Sequence, residues 1–396
     1  MRIVILTNAD IGLYKFRKEL VEKLCKEHEV YIVLPEGEFI DSLKQLGCRY
    51  IPFEFNRRGT NPIADLCQVK RYIKLLKELR PDIVLTYTIK PNVYGGIACQ
   101  IAKVPYIANV TGLGTTIENG GLLSFISILL YKVGLKGARC VFFQNKDNQK
   151  LFVNRKIVKG KSRLIPGSGV NLQTHYVEPY PDDNDGIRFL FVGRIMKDKG
   201  IGELLEAIRQ IHREHPNVNL DIVGWSDEDY SEELRKEEQE GVIRYHGLQS
   251  DVHPFYTKCH CAVLPSYHEG TANVMLEASS TGRPVITTRV PGCQETFDEG
   301  ITGFGCEVKS TESLIEAMRK FLSTTQDRRR KMGLAARTKM VMEYDRNIVL
   351  KAYQEEIEEI VTDLPAGTKN YKKRQKTNRK TKTGGEIKNE IVRSAR

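Results

Sequence analysis

The stretch Glu269-Gly-Thr-Ala-Asn-Val-Met-Leu-Glu277 follows the apolar run Cys261-Ala-Val-Leu-Pro265 and places two carboxylates eight positions apart. The apolar run predicts a buried strand, and the residues after the glycine predict a helix. A buried strand that turns directly into a helix is typical of an α/β fold with a parallel sheet. Ligands of such sheets bind beyond the carboxyl ends of the strands, which is where these two carboxylates fall.

The turn between the carboxylates favours an anion. Gly270 lets the backbone approach a ligand closely, and helix-opening amides attract negative charge. Those amides belong to Thr271, Ala272 and Asn273. Glu269 is expected beside a sugar ring, while Glu277, about one turn inside the helix, would accept hydrogen bonds from ribose hydroxyls. Because Glu is a good helix former, the same spacing also occurs on solvated helix surfaces, so its meaning depends on the rest of the chain.

A second segment, Phe189-Leu-Phe-Val-Gly-Arg-Ile-Met-Lys-Asp-Lys-Gly200, predicts a strand, a glycine turn and then an amphipathic helix from Ile201 to Arg213. The turn carries the cations Arg194 and Lys199. A planar guanidinium and a mobile ammonium together suit the oxygens of a diphosphate. The alternative is a surface loop with solvated charges.

In this order, the two segments resemble the C-terminal donor domain of retaining glycosyltransferases of the GT-B fold, family four (glycosyltransferase group 1). The resemblance covers nearly the whole chain. It is closest to bacterial enzymes of the N-acetylgalactosaminyltransferase type, which extend polyprenyl-diphosphate-linked sugars. The other segments that carry it are Asn8-Ala-Asp-Ile-Gly-Leu-Tyr-Lys-Phe-Arg17, Lys90-Pro-Asn-Val-Tyr-Gly95 and Thr111-Gly-Leu-Gly114. In addition, Pro166-Gly-Ser-Gly-Val-Asn171 resembles the family's interdomain hinge, and Tyr245-His-Gly-Leu-Gln-Ser-Asp-Val252 resembles the strand and turn that cover the base.

The resemblance implies three sets of site residues. The donor is expected to contact Gly12, Gly193, Arg194, Lys199, His246, Gly247, Val252, Glu269, Gly270, Thr271, Ala272, Asn273 and Glu277. The catalytic contribution is expected from Glu269, Arg194 and Lys199. The acceptor or a phosphate is expected to meet Tyr14, Arg17, Lys90, Asn92, Thr111 and Gly112.

The mechanism that the resemblance implies needs no dedicated nucleophile. A hydroxyl of the acceptor attacks the anomeric carbon on the face that the leaving UDP vacates, which retains the configuration. Cations and helix amides meet the charge that develops on the diphosphate. Many relatives place a histidine in the first domain's cleft, but the only histidine of this chain before residue 166 is His28, on a predicted exposed helix. Lys90 occupies a cleft position from which it would neutralise a phosphate of the donor or of the acceptor, and the sequence leaves this role open.

Alternating strand and helix patterns predict two Rossmann-like domains with doubly wound parallel sheets. The expected organisation is an acceptor-binding domain over 1–165, a donor domain over 166–345, a helix over 346–364 that crosses back onto the first domain, and a disordered basic tail over 365–396. The predicted strands are Arg2–Leu6, Glu29–Leu34, Asp82–Thr86, Tyr106–Asn109, Cys140–Gln144, Arg188–Val192, Asn219–Val223, Val242–Tyr245, Ala262–Pro265 and Val285–Thr287. The final helix is predicted from Asn347 to Val361.

No cofactor and no catalytic metal are predicted. Asp183-Asn-Asp185 and Asp227-Glu-Asp229 match the Asp-x-Asp pattern of another glycosyltransferase fold, but both fall in polar loops, the second as a helix cap. Cys259 and Cys261 flank His260, but neighbouring strand positions face opposite ways. The nine cysteines form no paired framework and predict reduced thiols packed as small hydrophobes in a cytoplasmic protein.

The net charge of +11 lies mostly in the tail. From Ala366 to Arg396, eleven Lys or Arg stand against two Glu, which is +9 and leaves +2 for the first 365 residues. The location argues against a nucleic-acid-binding fold, whose charge would cover a folded face. For the tail itself, an anionic membrane surface, RNA or no partner stays open.

The segment Leu122–Leu135 is the second indication of a membrane surface. Its uncharged run of about a dozen residues is shorter than the roughly 20 that span a bilayer, and cations follow it. It is predicted either as an interfacial helix on the inner leaflet or as a buried crossover helix, and the two can hold for different faces. With no leader ahead of the first strand, the expected location is the cytoplasmic face of the membrane.

Three other classes of function remain open. A nucleotide-sugar epimerase of the same architecture would need no acceptor, and a sugar-binding protein would need no turnover. A nucleic-acid-binding protein is the third. The sugar transferred, the acceptor glycan and the oligomeric state are not determined by the sequence.

Overall fold

The computed structural model describes residues 1–54, 62–112 and 121–363. They divide into two compact units, one formed by residues up to Ile165 with those from Leu350 onward, and the other by Pro166–Val349. The predicted Leu113, Gly114 and the basic tail lie outside the described residues. No helix within the described ranges is both long and apolar enough to cross a membrane.

The first unit contains a seven-stranded parallel sheet in the order β3-β2-β1-β4-β5-β6-β7. Its strands are β1 (Arg2–Leu6), β2 (Glu29–Leu34), β3 (Arg49–Pro52), β4 (Ile83–Tyr87), β5 (Tyr106–Val110), β6 (Cys140–Phe143) and β7 (Ser162–Leu164). Its helices are α1 (Asp10–Glu27), α2 (Ile40–Gln45), α3 (Pro62–Leu79), α4 (Gly96–Ala102), α5 (Gly121–Leu135) and α6 (Lys146–Asn154), with a π-helical turn over Pro91–Gly95 before α4.

The second unit contains a six-stranded parallel sheet in the order β10-β9-β8-β11-β12-β13. Its strands are β8 (Ile187–Val192), β9 (Val218–Val223), β10 (Ile243–Tyr245), β11 (Cys261–Leu264), β12 (Val285–Thr288) and β13 (Gly303–Cys306). Its helices are α7 (Ile201–Glu214), α8 (Ser231–Gln239), α9 (His253–Lys258), α10 (Asn273–Ser280), α11 (Thr311–Leu322) and α12 (Gln326–Glu343). Helix α13 (Arg346–Asp363) begins in this unit, and its residues from Leu350 belong to the first.

The predicted class, two doubly wound parallel sheets in an α/β protein, is confirmed. Each sheet has its own core of buried side chains, dominated by β-branched, leucine and aromatic residues of the strands and of the helix faces turned to them. The patterns missed β3, β7 and β13, which have three or four residues each and carry little periodicity. His28 is not on a helix: α1 ends at Glu27, and burial lowers the pKa of the His28 imidazole.

Candidate active site

In the second unit, the turns after β8 and β11 lie together because the strand order reverses between these neighbouring strands. The Tyr267 amide donates to the Asp198 carbonyl at 2.9 Å, and the Ser266 hydroxyl donates to the same oxygen at 3.2 Å. Gly200 has φ of +69°, and a Cβ there would lie 2.2 Å from the Pro265 carbonyl oxygen. Glycine is therefore required for the turn after β8 to pack this closely against the end of β11.

This packing brings Lys199 and Glu269 together. The Lys199 ammonium donates to Oε1 of Glu269, and the two side chains are only 18% and 16% exposed. A cation predicted for phosphate and a carboxylate predicted for a sugar thus form one ion pair at the reversal of strand order. An ion pair largely removed from water holds both groups in one geometry, which prepares them for a charged ligand.

The second predicted cation also has a carboxylate partner. Arg194 follows Gly193 at the end of β8 and donates through Nη1 to Asp227 at 2.8 Å. Sequence reasoning missed this role of Asp227, which it had considered as a metal-binding pattern. Gly224 explains the proximity, since a Cβ there would lie 1.8 Å from the Gly193 carbonyl oxygen.

The other Asp-x-Asp match also pairs with an arginine: Asp183 accepts a hydrogen bond from the buried Arg329 at 2.7 Å. Within the described ranges, no group of three or more His, Cys, Asp or Glu side chains is arranged to hold a metal ion. All nine cysteines are free thiols, and seven of them are buried, as predicted for small hydrophobes.

The second carboxylate, Glu277, lies in the middle of α10 and is half-buried. Its Oε2 accepts a hydrogen bond from the Tyr256 hydroxyl at 2.9 Å. Tyr256 is fully buried in α9. No sequence signal identified this role, since an aromatic residue in a short helix predicts only a core position. The tyrosine holds one oxygen of the carboxylate that was predicted to bind ribose.

The turn before α10 differs in part from the prediction. The Ala272 amide, expected to face an anion, donates to the Gly292 carbonyl at 2.7 Å, and the Ala272 side chain lies in the core. That prediction is wrong, because the turn after β12 supplies an internal acceptor. Gly292 has φ of +86°, and a Cβ there would lie 2.3 Å from the Glu269 carbonyl oxygen. The Pro291-Gly292 dipeptide is a turn signal that could have identified this contact.

The remaining residues of this turn are packed against the start of the second unit. The Thr271 side chain is buried, and a Cβ on Gly167 would lie 2.6 Å from it. Ser168 donates to Oδ1 of Asn273 at 2.7 Å. The segment predicted as a hinge therefore supports the first helical residue of α10 within the same unit.

The segment predicted to cover the base lies at the end of β10. Nε2 of His246 is 2.7 Å from Asp221, and its ring packs on Phe255 with centroids 4.8 Å apart. The Gly247 carbonyl accepts from the Gly224 amide at 2.8 Å, which ties this loop to the end of β9. Val252 immediately precedes α9 and is half-buried. The structure thus places these residues beside the strand ends that carry Arg194.

In the first unit, Gly12 lies in the first turn of α1, where a Cβ would meet nothing within 4 Å. Tyr14 stacks on Phe39 at 4.9 Å. Arg17 is buried and its guanidinium lies 5.7 Å from the Tyr87 ring centroid. Its predicted contact with the acceptor or a phosphate is not supported, because the Arg17 side chain is buried in the interior.

The predicted residues after β4 differ sharply from one another. Lys90 pairs with Asp65 at 3.0 Å, and the Tyr94 hydroxyl donates to the other oxygen of Asp65 at 2.7 Å. Asn92 is fully buried: its amide accepts from Thr86 at 2.7 Å and donates to the Asn109 carbonyl at 2.8 Å. An acceptor contact through the Asn92 side chain is therefore not supported.

Thr111 and Gly112 are half-buried after β5, as expected for a strand end.

Two family models match the chain. The model described as "Glycosyl transferases group 1" matches residues 174–339, and "Glycosyl transferase 4-like" matches residues 2–145. The first match contains every predicted site residue of the second unit, and the second contains every predicted site residue of the first. The matches therefore divide the chain as the two sheets do.

Curated relatives and a solved structure extend this likeness. The chain is 28% identical to the N,N'-diacetylbacillosaminyl-diphospho-undecaprenol alpha-1,3-N-acetylgalactosaminyltransferase of Campylobacter jejuni, over 92% of this chain and 100% of that protein. It is 26% identical to the UDP-Gal:alpha-D-GlcNAc-diphosphoundecaprenol alpha-1,3-galactosyltransferase of Escherichia coli, over 66% and 71%. The Anabaena protein Alr3699/HepE, solved with UDP and glucose, shares the fold with a TM-score of 0.74 at 17% identity, over 91% and 100%.

Proposed function

This chain is a glycosyltransferase of group 1, and we propose that it transfers a sugar from a UDP-sugar to a polyprenyl-diphosphate-linked saccharide with retention of configuration. The observation that carries the proposal is the Lys199–Glu269 ion pair at the reversal of strand order, with Glu277 eight positions further on. This arrangement offers one cation to a diphosphate and one carboxylate each to a sugar and a ribose. The E. coli relative is named for a UDP-sugar and a diphosphoundecaprenol acceptor, and the C. jejuni relative for an N-acetylhexosamine.

The chemistry follows from charge. As the glycosidic bond to UDP breaks, negative charge develops on the diphosphate, and Lys199 and Arg194 are preorganised donors for it. Each exchanges its present carboxylate partner for phosphate oxygens. Glu269, released from the ammonium, then accepts hydrogen bonds from sugar hydroxyls. A departing phosphate oxygen takes the acceptor proton, so no separate base is required.

The test is UDP release from a panel of UDP-sugars, with and without a polyprenyl-diphosphate-linked sugar. We expect release that depends on the acceptor, and loss of that release in Glu277→Ala. The matched control is Glu316→Ala, which removes an exposed glutamate paired with Lys320 on the same helix. Release without acceptor would favour an epimerase or hydrolase, and no release from any pair would contradict a UDP-sugar donor.

We also propose that α5 lies on an anionic membrane surface at the cytoplasmic face. One face of α5 is buried through Tyr131 and Leu135. The other exposes Phe125 at 66% and Leu129 at 52%, one turn apart. Apolar side chains on one stripe, followed by Lys132, Lys136 and Arg139, suit an interface of lipid tails and anionic headgroups. A lipid-linked acceptor would be reached from the same surface.

Vesicle sedimentation tests this surface. We expect the full chain to bind vesicles that contain anionic phospholipid more tightly than neutral ones. Phe125→Ser with Leu129→Ser should weaken binding at least about tenfold, since each buried apolar side chain contributes roughly 1.5–3 kcal/mol. Leu334→Ser, an exposed leucine of the second unit, is the control. Unchanged binding of the double variant would exclude α5 as the contact.

A further inference from the structure

The hydroxyl of Tyr256 is a donor enclosed in the second unit and directed at Glu277. It lies 2.9 Å from Oε2 of Glu277 and 3.3 Å from the Val274 carbonyl, both on α10. The side chain is fully buried, so no water competes for the hydroxyl. Burial and the nearby carboxylate raise the pKa of Tyr256 well above its ordinary value, so the hydroxyl keeps its proton.

The helix that carries Tyr256 also touches the segment predicted to meet the base. The amides of Phe255 and Tyr256 both donate to the Val252 carbonyl, at 3.1 and 3.3 Å. The Phe255 ring, next to Tyr256 in the chain, packs on His246. One turn of α9 therefore supports three of the predicted donor contacts.

The other end of α9 is anchored in the core. The buried Arg283 donates through Nε to the Tyr256 carbonyl at 2.8 Å and through Nη2 to the Thr257 carbonyl at 3.0 Å. These bonds fix the backbone from which the tyrosine side chain projects. The hydroxyl is thus held in place independently of any ligand.

We infer that Tyr256 is a positioning residue, which orients the Glu277 carboxylate toward the ribose hydroxyls of the nucleotide donor. This inference rests on the proposed function, since it takes a UDP-sugar as the ligand. A carboxylate on a helix has several rotamers of similar energy, and a fixed donor on one oxygen selects among them. Hydrogen bonds to charged groups are stronger than neutral ones, so the selection is effective.

The test compares two nucleotides, UDP and 2′,3′-dideoxy-UDP, by calorimetry with the full chain. We expect Tyr256→Phe to weaken UDP binding about tenfold and to leave the dideoxy nucleotide within about twofold, because only UDP offers the hydroxyls that Glu277 receives. KM for the UDP-sugar should rise with the dissociation constant, while kcat changes little. In a Glu277→Ala background, adding Tyr256→Phe should have no further effect on UDP binding.

The matched control is Tyr180→Phe. It also removes a hydroxyl from the second unit, one that donates at 2.9 Å to the His260 carbonyl rather than to a residue of α10. This control should change the dissociation constant of neither nucleotide. Equal weakening of both nucleotides by Tyr256→Phe, or additive effects with Glu277→Ala, would show a merely structural role and overturn the inference. Failure of the native chain to bind UDP at all would instead overturn the proposed donor, and the inference with it.

Discussion

The predicted site residues of the two units differ in their burial and in their partners. In the second unit, Lys199 and Glu269 meet at the reversal of strand order, and a buried tyrosine holds Glu277. In the first unit, Arg17 and Asn92 are buried, and Lys90 is paired with Asp65. The difference teaches that polar residues tied to a glycine turn at a strand end are good site candidates. Arg17 and Asn92, by contrast, are buried and are used by the fold.

The largest expected effect follows from removing the Lys199 ammonium of the second unit. Lys199→Ala should lower kcat for sugar transfer about 10²–10³-fold, the usual result of deleting one preorganised donor to a developing anion. Lys320→Ala, which breaks an exposed pair on α11, is the control and should retain full activity. Steady-state transfer assays measure both. Activity of Lys199→Ala within tenfold of native would break the comparison, since Lys199 would then serve only its ion pair with Glu269.

Asn92→Ala should show the reverse pattern, with stability rather than chemistry affected. It leaves the Thr86 hydroxyl and the Asn109 carbonyl without their buried partner, at a cost of about 2–4 kcal/mol. The measurement is the urea unfolding midpoint, with Lys320→Ala, at an exposed ion pair, as a control expected to change it little. An unchanged midpoint together with a raised KM for the acceptor would instead indicate that Asn92 contacts the acceptor.

Lys90→Ala sharpens the comparison, since Lys90 and Lys199 are both half-buried and both paired with a carboxylate. If Lys90 only pairs with Asp65 and contacts no ligand, the variant should lose less than tenfold in activity. Loss of a partly exposed ion pair costs roughly 1 kcal/mol of stability. Asp65→Asn provides the reciprocal change and should have a similar effect. A loss of a hundredfold or more in Lys90→Ala alone would indicate a phosphate contact in the first unit as well.

The smallest expected effect is on the pH dependence of unfolding. Nδ1 of His260 accepts from the Arg188 amide at 3.0 Å. Burial lowers the pKa of the imidazole, and the positive charges of Arg329 and Arg283 lower it further, while the nearby Asp183 acts in the opposite direction. The folded state then resists a proton that the unfolded state accepts. Stability is complete above the unfolded pKa of about 6.5 and declines as pH falls below it toward the lowered folded pKa.

Thermal unfolding from pH 8 to pH 5 measures this effect. The native chain should lose stability below about pH 6.5, and His260→Gln should flatten part of the decline. His28 has the same sign in the first unit, because burial also lowers its pKa, so His28→Gln is the matched comparison. A decline that neither substitution alters would assign the acid sensitivity to other groups.

Much of the second unit's site was predictable because its signals are local. Glycine turns, a cation or a carboxylate just after an apolar strand, and the helix that follows are all read from short windows of sequence. The contributions of Tyr256 and Asp227 were not predictable. Each acts on a site residue from a different strand-helix unit, and no local pattern distinguishes such a residue from an ordinary core or loop position.

The sequence by itself determined the α/β class, the two parallel sheets, the family likeness and the residues Lys199, Glu269 and Glu277, because periodicity and strand-end motifs are properties of neighbouring residues. Only the tertiary structure decided which cation meets which carboxylate, that the Ala272 amide is used by Gly292, and that Asn92 is enclosed. Strand order sets these contacts. It brings together segments some 70 positions apart, and the buried hydrogen bonds formed there decide which polar groups are left to a ligand.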